Sequence, residues 1–539
     1  MTPMENDSPM AVLEDFVTNT INNNIWTVIP WLLIAAGLYF AVRTIVVQVR
    51  MLPEMFRAVM ERPATQEEND AEGISSFKAF TISAASRVGT GNVAGVAVAI
   101  TTGGPGAVFW MWIVAILGGA TAFVEATLAQ LWKVRDEDAD AYRGGPAYYL
   151  TKGLNAPKLA SIFAVAITIT FGFVYNAIQA NSIAESFATS VGNDTFLFKF
   201  MVGVVLVIIT ALIIFGGVQR IANVTQYLVP FMAVLYLVVG LFVVLINLNK
   251  VPEMFETIIT HALGVKEVAG ATMGMAFMNG MRRGLFSNEA GEGSAPNAAA
   301  VATVSHPVKQ GLVQTLGVYF DTLLVCSITA FIILLGDPTV GEGVSGASMT
   351  QTALASQVGD WGIHFVTIIL FFLAFSSVIG NYYLAQANIE YFSQNKLVLL
   401  GFRVIVLLFV LGGSVGSIGL VWSLGDTFAA IMVFINLIGI VPLGGIAVKL
   451  LANYERQKAK GLDPIFHRDM LPEAKNVEVW DGSDAVCRRH GEIVREVTTR
   501  IAPFSLDEEL VVSEIPIGKF AIEELSEKYL VIRRAPDIR

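Results

Sequence analysis

The sequence has few charged residues. Asp, Glu, Lys and Arg make up 15% of its 539 residues, whereas an ordinary soluble domain has about 25%. Apolar residues make up 54% of the chain, and the mean hydropathy is +0.62. So few charges cannot cover the surface of a soluble protein of this length. The composition therefore excludes a cytosolic enzyme and a disordered chain, and it indicates a protein with several membrane spans.

Cysteine is scarce as well. The two cysteines, Cys326 and Cys487, cannot form a disulfide framework and do not suggest a zinc site. The histidines stand apart from one another and the sequence has no activated-nucleophile motif, so no metal cluster and no enzyme active site are predicted. The net charge of −10 gives no basic footprint for nucleic acid.

The first 24 residues contain no Lys or Arg. A secretory signal peptide begins with basic residues, so the first apolar run is predicted to be a retained membrane span. A span needs roughly 20 mostly apolar residues, and eleven segments meet this condition. They cover residues 25–47, 77–100, 106–131, 159–187, 198–215, 225–247, 255–301, 311–335, 361–391, 397–411 with its extension, and 420–451.

The positions of Lys and Arg predict the orientation, because cytoplasmic loops carry an excess of these residues. An odd number of spans places the two termini on opposite sides. If the C-terminus lies inside, only Lys199, Lys250 and Lys266 lie in outside segments. The bias therefore predicts an N-terminus outside the cell and a cytoplasmic C-terminus.

Two of the predicted spans contain glycine clusters, at residues 86–95 and 279–294. Each Gly inside a helix costs about 1 kcal/mol relative to Ala, so these clusters predict unwound segments. Unwound backbone at membrane depth is tolerated where it lines a cavity, and there its carbonyls can bind a cation. The exposed amides of a half-helix suit a carboxylate. A zwitterionic amino acid with a sodium ion fits this chemistry, and close packing of small residues is the alternative.

The spans form a repeat. If the first is set aside, the other ten divide into two sets of five, and each set begins with a broken span. The predicted fold class is an all-α polytopic membrane protein with an inverted repeat, one extra N-terminal helix and a small cytoplasmic tail. The predicted parts are an extracytoplasmic segment (1–24), an extra helix with a cytoplasmic loop (25–73), two repeats (74–250 and 251–453) and the tail (454–539).

The tail has a different composition. After about Tyr454 the chain becomes polar, and short alternating runs follow at residues 509–516 and 528–533. Alternation of this kind indicates strands. A small cytoplasmic domain with some strand is predicted, and a disordered tail is the alternative.

Both glycine clusters belong to longer strings that resemble the alanine or glycine:cation symporter family. The strings are Gly89–Val96, Gly103–Trp112, Arg283–Gly291 and Gly293–Pro296, with Gly144–Tyr149 and Asp321-Thr322 also fitting, and the likeness covers about residues 75–451. It implies a leucine-transporter-like fold of ten core helices with one helix in front. It also implies sodium-driven uptake of small neutral amino acids, chiefly alanine with glycine or D-alanine, in a bacterial inner membrane. Sodium is then the coupling ion and no other cofactor is implied.

Three residues depart from this family pattern. Glu292 stands where an uncharged residue is expected, Gln386 stands where some members have an acid, and Arg87 is unexpected beside the first break. The departures concern the ion ligands and the cation stoichiometry.

The predicted substrate site comes from three segments. Gly89, Thr90, Gly91 and Asn92 form the first unwound segment, whose amides hold the substrate carboxylate. The second break is expected at Phe277, Met278, Asn279 and Gly280, whose carbonyls accept from the ammonium; ordinary core packing is the alternative. Asn176 and Gln179 lie three residues apart on one helical face. By resemblance Gln179 binds substrate, and an interhelical hydrogen bond is the alternative.

The predicted sodium ligands come from the first and eighth core helices, as the leucine-transporter-like fold implies. Hydroxyl and carbonyl oxygens suit a hard cation. The expected ligands are Val88, Asn92, Ala374, Ser376 and Ser377. For the two serines, hydrogen bonding within their own helix is the alternative.

Buried acids are candidates for gating or coupling, because an ionisable residue at membrane depth is a functional candidate by default. The gate or coupling candidates are Glu125, Glu289 and Asp321. Glu289 and Asp321 are alternatively expected to pair with Arg282, Arg283 or Arg87.

Alternating access with sodium coupling is thus the main functional prediction, with alanine or glycine, sodium and membrane lipid as partners. Proton coupling through Glu125 or Asp321 is one alternative. An amino-acid sensor that signals through the tail is another. A membrane-embedded enzyme is disfavoured because no catalytic constellation is found.

Overall fold

The helices follow the apolar runs of the chain. The computed structural model describes residues 9–61, 74–136, 141–264, 270–336 and 346–481, and three strands between residues 515 and 534. The helices in chain order are α1 (Val12–Arg43), α2 (Leu52–Met60), α3 (Ser76–Arg87), α4 (Gly91–Gly103), α5 (Gly106–Leu131), α6 (Pro157–Val191), α7 (Phe196–Ile214), α8 (Gly217–Ile246), α9 (Val251–Leu263), α10 (Gly270–Asn288), α11 (Ala295–Ala300), α12 (Pro307–Leu335), α13 (Ala347–Val358), α14 (Trp361–Phe392), α15 (Lys396–Val415) and α16 (Ile418–Ala459). Short helical turns lie at Val47–Arg50, Pro146–Tyr148, Tyr149–Gly153 and Arg468–Met470.

Nine helices of the described chain are long and apolar enough to cross a membrane. They are α1, α5, α6, α7, α8, α12, α14, α15 and α16. The two remaining predicted spans, the second and the seventh, each consist of shorter helices. An all-α polytopic fold is therefore confirmed, and both of the spans that were predicted to be broken are interrupted.

The first interrupted span consists of α3 and α4. Helix α3 ends at Arg87, and Val88 leaves the helical region with φ −82° and ψ 88°. The chain resumes its helical path at once, and the first turn of α4 is a wide π turn over Gly91–Gly95. The interruption therefore lies at Val88 and Gly89, at the start of the predicted unwound segment 89–92, whereas residues 90–92 are already helical.

The second interruption lies elsewhere than expected. Helix α10 continues without a break through residues 277–280 and ends at Asn288. Residues 289–294 then leave the helix, with positive φ at Glu289, Gly291 and Gly293, before α11 begins at Ala295. The predicted break at 277–280 is wrong, and the predicted single segment 255–301 is three helices, α9, α10 and α11.

Helix α1 begins well before the predicted start at residue 25. Its first turns are polar, yet they pack on α16 through specific hydrogen bonds. Thr18 Oγ1 lies 2.7 Å from Ser423 Oγ, and Asn22 Nδ2 donates to Ser423 O at 2.9 Å. These partners replace water, which is why apolar periodicity alone did not find this part of the helix.

Small residues bring the helices of the centre close together. A Cβ on Gly37 of α1 would lie 2.9 Å from Leu117 Cβ of α5, and one on Gly284 of α10 would lie 2.5 Å from Val114 Cγ1 of the same helix α5. Helix α5 therefore packs directly against both α1 and α10. Close approach at small residues is the usual packing of membrane helices.

One end of the bundle is covered by residues 462–481, here called the strap. Phe466 N donates to Ser305 O at 2.8 Å, and Trp480 Nε1 donates to Gln130 O at 3.1 Å. Trp132 Nε1 donates to Lys475 O at 2.9 Å. The strap thus joins the ends of α5 and of the loop before α12, and we call this end of the bundle the strap face.

The strands are few. β1 (Val134–Asp136) and β2 (Ala141–Arg143) form an antiparallel pair. In the tail, β3 (Ile515–Ile517), β4 (Phe520–Leu525) and β5 (Leu530–Arg534) form an antiparallel sheet in the order β3-β4-β5. Strands were predicted at residues 509–516 and 528–533, and β3 and β5 overlap these two runs. Residues 509–514 and 528–529 lie outside the described residues.

Candidate functional site

The first interruption is in direct contact with α14 and α6. A Cβ built on Gly89 would lie 2.1 Å from Ser377 Oγ and 3.0 Å from Gln179 Oε1. Only glycine leaves room for both side chains at this position. The backbone of the break therefore meets a hydroxyl from one helix and an amide oxygen from another.

Two backbone amides of this break are held by side chains. Thr90 N donates to Gln179 Oε1 at 3.0 Å, and Gly89 N donates to Asn92 Oδ1 at 2.8 Å. These are amides that a substrate carboxylate could use instead. Within the described part of the chain, Thr90 Oγ1 and Asn176 Oδ1 are buried without a hydrogen-bond partner. The predicted residues Gly89, Thr90, Asn92 and Gln179 are thus brought together.

A second set of oxygens lies behind the break, on α12. Asn92 Nδ2 donates to Asp321 Oδ1 at 2.6 Å, and Ser287 Oγ and Thr322 Oγ1 donate to Asp321 Oδ2 at 2.8 and 2.7 Å. All four side chains are fully buried. Asp321 lies in a π-helical turn, Tyr319–Cys326, a distortion that occurs often at functional sites. The carboxylate of Asp321 therefore joins α12 to the first break and to the end of α10.

The predicted sodium ligands on α14 lie beside the first break. Ser376 Oγ and Ser377 Oγ both donate to Leu373 O, at 2.7 and 3.2 Å, which is the bonding within one helix that was expected as the alternative. A hydroxyl that donates its proton keeps lone pairs for a cation. Ala374 and Val88 are buried in the same region, at the centre of α14 and at the break. Their part in sodium binding stays a prediction.

Two gate candidates lie around the second interruption, one on α5 and one at the first residue of the break itself. Glu125 of α5 accepts from Gly291 N at 3.2 Å and from Asn436 Nδ2 at 2.8 Å. Glu289 accepts from Ser86 Oγ at 2.7 Å and from Ser294 Oγ at 2.5 Å. The two breaks are therefore tied to each other through Ser86 and Glu289.

Arg87 is a buried cation that acts on all three of these acids. Its Nη1 donates to Gln314 O at 3.2 Å, and its charge is attracted to Glu289, Asp321 and Glu125. Arg283 instead forms a buried ion pair with Asp426 of α16. Among the described residues, neither Glu289 nor Asp321 forms an ion pair with Arg282 or Arg283, which was the alternative expectation.

Glu292 differs from the other acids. Its Oε1 accepts from Tyr175 OH at 2.9 Å, whereas its Oε2 has no partner in the part of the chain that is described. The side chain is fully buried. The second interruption thus carries one carboxylate oxygen that is free to meet a donor.

An aromatic layer covers the first break. The ring centroids of Tyr175 and Phe286, and those of Phe286 and Trp422, are 4.9 Å apart. A Cβ on Gly91 would lie 3.1 Å from the Phe286 ring. The Arg283 guanidinium lies 4.8 Å from the Trp422 ring centroid. The ion pair between Arg283 and Asp426 therefore packs against this aromatic layer.

The four residues expected at the second break lie away from it. Phe277 packs on Trp31 and Trp110, with ring centroids 5.2 and 4.9 Å apart, and a Cβ on Gly280 would lie 2.5 Å from Ala107 O. Asn279 is half-buried beside Gly103 and donates to its own helix at Met275 O. Phe277 precedes Phe286 by nine residues, about 13 Å along a helix. We therefore do not assign substrate contacts to Phe277, Met278, Asn279 and Gly280.

Several residues of the site escaped the sequence analysis. They are Ser86, Tyr175, Phe286, Ser287, Trp422 and Asn436. Phe286 and Ser287 lie inside the string Arg283–Gly291, and Tyr175 directly precedes Asn176. A role in the site could therefore have been predicted for these three residues. Trp422 and Asn436 lie on α16, where no local motif marked them.

Two interrupted helices that contact each other around buried polar groups are typical of secondary transporters, which bind substrate and coupling ion at such breaks. The fold and the site therefore define a membrane transporter. The chain belongs to the sodium:alanine symporter family, whose model matches residues 10–468. Family membership makes it an amino-acid symporter and not an enzyme, with sodium as the coupling ion.

Individual proteins resemble it over most of their length. The chain is 48% identical to the amino-acid carrier protein AlsT of Bacillus subtilis, over 87% of this chain and 99% of that protein. It is 37% identical to the sodium/alanine symporter AgcS of Methanococcus maripaludis, over 80% of this chain and 96% of that protein. The crystal structure of MhsT in complex with L-phenylalanine aligns with a TM-score of 0.48 and 15% identity, over 80% of this chain and 99% of that one.

Proposed function

We propose that this symporter takes up a small neutral amino acid together with sodium by alternating access. Alanine is the first candidate substrate, because the family description and the name of the relative AgcS both specify it. Glycine and D-alanine are further candidates. The observation that carries the proposal is the hydrogen bond from Thr90 N to Gln179 Oε1, which holds an amide of the broken helix ready for exchange.

The substrate carboxylate would bind the amides of the first break. When it enters, it replaces Gln179 Oε1 and Asn92 Oδ1 as acceptors for Thr90 N and Gly89 N. Gln179 can then donate to the substrate through its amide nitrogen, because the side chain carries both donor and acceptor atoms. The aromatic layer of Tyr175, Phe286 and Trp422 would limit the size of the substrate side chain.

Sodium would bind between the first break and α14. Val88 and Ala374 offer backbone carbonyls, and Ser376 and Ser377 offer hydroxyl oxygens. Oxygen ligands of this kind suit a hard cation. A bound sodium ion would order the break beside Gly89 and so favour binding of the amino acid, as coupling between two sites requires.

We also propose that the strap face is cytoplasmic and that the protein resides in the plasma membrane, a bacterial inner membrane. The Lys and Arg bias of the loops supports this orientation. The interrupted backbone would then lie near the middle of the membrane, with the ion pair between Arg283 and Asp426 on the outer side.

The test is uptake of radiolabelled alanine into proteoliposomes with an inward sodium gradient, against a matched potassium control at fixed pH. Sodium-dependent uptake is expected, and Gln179→Ala is expected to reduce it about tenfold or more. Uptake that ignores sodium and follows a proton gradient would move the coupling to Glu125 or Asp321. Absence of uptake for any small neutral amino acid would contradict the proposal and favour the sensor alternative.

A further inference from the structure

The hydrogen bonds of the buried acids single out Glu292. Both carboxylate oxygens of Glu125, of Glu289 and of Asp321 accept at least one hydrogen bond. Glu292 has a donor, the hydroxyl of Tyr175, on Oε1 alone. Its Oε2 is buried and without a partner among the described residues. A buried acceptor without a donor is costly, so this oxygen is expected to have a partner in another state of the molecule.

The surroundings of Glu292 place it on the substrate side of the second break. Tyr175, its donor, lies one helical turn before Gln179, which holds the first break at Thr90. The ring of Tyr175 packs on Phe286, and Phe286 in turn lies against Gly91. Glu292 is therefore connected through Tyr175 to α6, which carries Gln179, and to Phe286, which contacts the first break at Gly91.

The interrupted backbone gives this side chain its direction. Glu292 lies between Gly291 and Gly293, both of which have positive φ, at 89° and 83°. Positive φ on both sides takes the backbone at Glu292 off the helical path of α10. The break therefore presents a buried carboxylate with one oxygen that makes no hydrogen bond among the described residues.

We propose that Glu292 determines the specificity of this transporter: its free Oε2 accepts a hydrogen bond from the side chain of a neutral amino acid that carries an N–H or O–H donor. Serine, asparagine and glutamine belong to this class. The proposal rests on the proposed function, since it concerns the side chain of the same substrate whose carboxylate binds at Gly89 and Thr90. Alanine is then accepted by the site but leaves Oε2 without its partner.

The first test uses the wild-type protein and pairs of amino acids of similar shape, in which only one member carries a side-chain hydrogen-bond donor. Serine is compared with 2-aminobutyrate, and asparagine with leucine, as competitors of sodium-dependent alanine uptake in proteoliposomes. The donor-bearing member is expected to compete about 10- to 100-fold better, because the other member leaves a buried acceptor without a hydrogen bond. Equal competition within each pair would overturn the proposal, while alanine uptake itself would still support the proposed function.

The second test replaces the carboxylate. Glu292→Met keeps the approximate length and removes both oxygens, so the preference for serine over 2-aminobutyrate is expected to fall to within about threefold, because an apolar pocket discriminates poorly against a hydroxyl. Glu253→Met, the same change at an exposed position of α9, should leave the preference as in the wild type. A preference that Glu292→Met leaves unchanged would overturn the proposal. So would a variant that alters the pH dependence of uptake but not the preference, since Glu292 would then carry a proton.

Discussion

Asn92 Nδ2 lies 2.6 Å from Asp321 Oδ1, and this contact joins residues 229 positions apart in the chain. It fastens the first interrupted helix to α12 at the point where sodium and substrate are proposed to act. Because Asp321 also accepts a hydrogen bond from Ser287, the same carboxylate contacts the end of α10. The first break can therefore move only if this three-way contact moves with it.

Exchanging the two groups tests this contact. Asn92→Asp alone places two carboxylates against each other, and like charges in a buried site disfavour the charged forms. Sodium-dependent alanine uptake is expected to fall about tenfold or more. The double variant Asn92→Asp with Asp321→Asn restores one amide and one carboxylate, so it should recover part of the lost uptake. If the losses of uptake caused by the two single changes simply add in the double variant, the contact between residues 92 and 321 does not contribute to transport.

Gly89 should tolerate no side chain. In Gly89→Ala the new Cβ would lie 2.1 Å from Ser377 Oγ, closer than real Cβ contacts allow, so the break must separate from α14. Uptake is expected to fall about 100-fold or more. Gly401→Ala on α15 is the matched control, because a Cβ there meets nothing within 4 Å. Normal uptake by Gly89→Ala would show that the break and α14 are not close in the working transporter.

Much of this architecture was predictable from the sequence, because long apolar runs do not depend on tertiary contacts. The first break was found for the same reason: Gly89 and Gly91 stand beside Asn92 in a short cluster. The pairing of Gln179 with Thr90 agrees with the predicted polar face of α6.

The second break was misplaced because glycine serves two purposes in one cluster. Gly280 and Gly284 allow α10 to approach α5, at Ala107 O and Val114, and they stay helical. Gly291 and Gly293 adopt positive φ and form the break. Composition cannot separate a glycine needed for packing from one needed for its backbone angles. Partners on α16, such as Trp422, depend on long-range packing and leave no local pattern.

The buried ion pair between Arg283 and Asp426 should behave as a unit. Arg283→Ala or Asp426→Ala alone leaves a buried charge without its partner, which costs about 3–5 kcal/mol of stability. The double variant Arg283→Met with Asp426→Leu should regain most of this stability, yet transport should stay impaired, because the pair covers the aromatic layer beside Trp422. Thermal unfolding in detergent and alanine uptake measure the two effects separately. A double variant that is as unstable as the sum of the single ones would contradict this prediction.

The strap should be required for stability and uptake, whereas the residues that follow it should not be. A chain that ends at residue 481 keeps Phe466 and Trp480, which bond Ser305 and Gln130, and its uptake should remain within about twofold of the full chain. A chain that ends at residue 460 exposes the strap face and should lose stability and uptake together. Full uptake by the shorter chain would show that the strap has no part in transport. Loss of uptake in the longer one would make the tail a functional element.

His306, which precedes α12 at the strap face, should make the protein less stable in acid. Its Nδ1 accepts from Val308 N at 3.2 Å and its Nε2 faces Asn453 Oδ1 at 3.2 Å, an arrangement of the neutral ring. Burial is the main reason that the pKa of His306 is lowered from 6.5 to about 3. Between these two values the unfolded chain binds the proton and the folded chain does not, so stability is full above about pH 6.5 and is lost as the pH falls toward 3.

The expected loss is about 1.4 kcal/mol between about pH 7.5 and pH 5.5, from this residue alone. Thermal unfolding in detergent as a function of pH measures it. His306→Gln cannot take up a proton and should remove this part of the pH dependence, whereas His261→Gln, at an exposed position of α9, should leave it in place. If His306→Gln and the wild-type protein lose stability equally on acidification, the proton does not bind at His306.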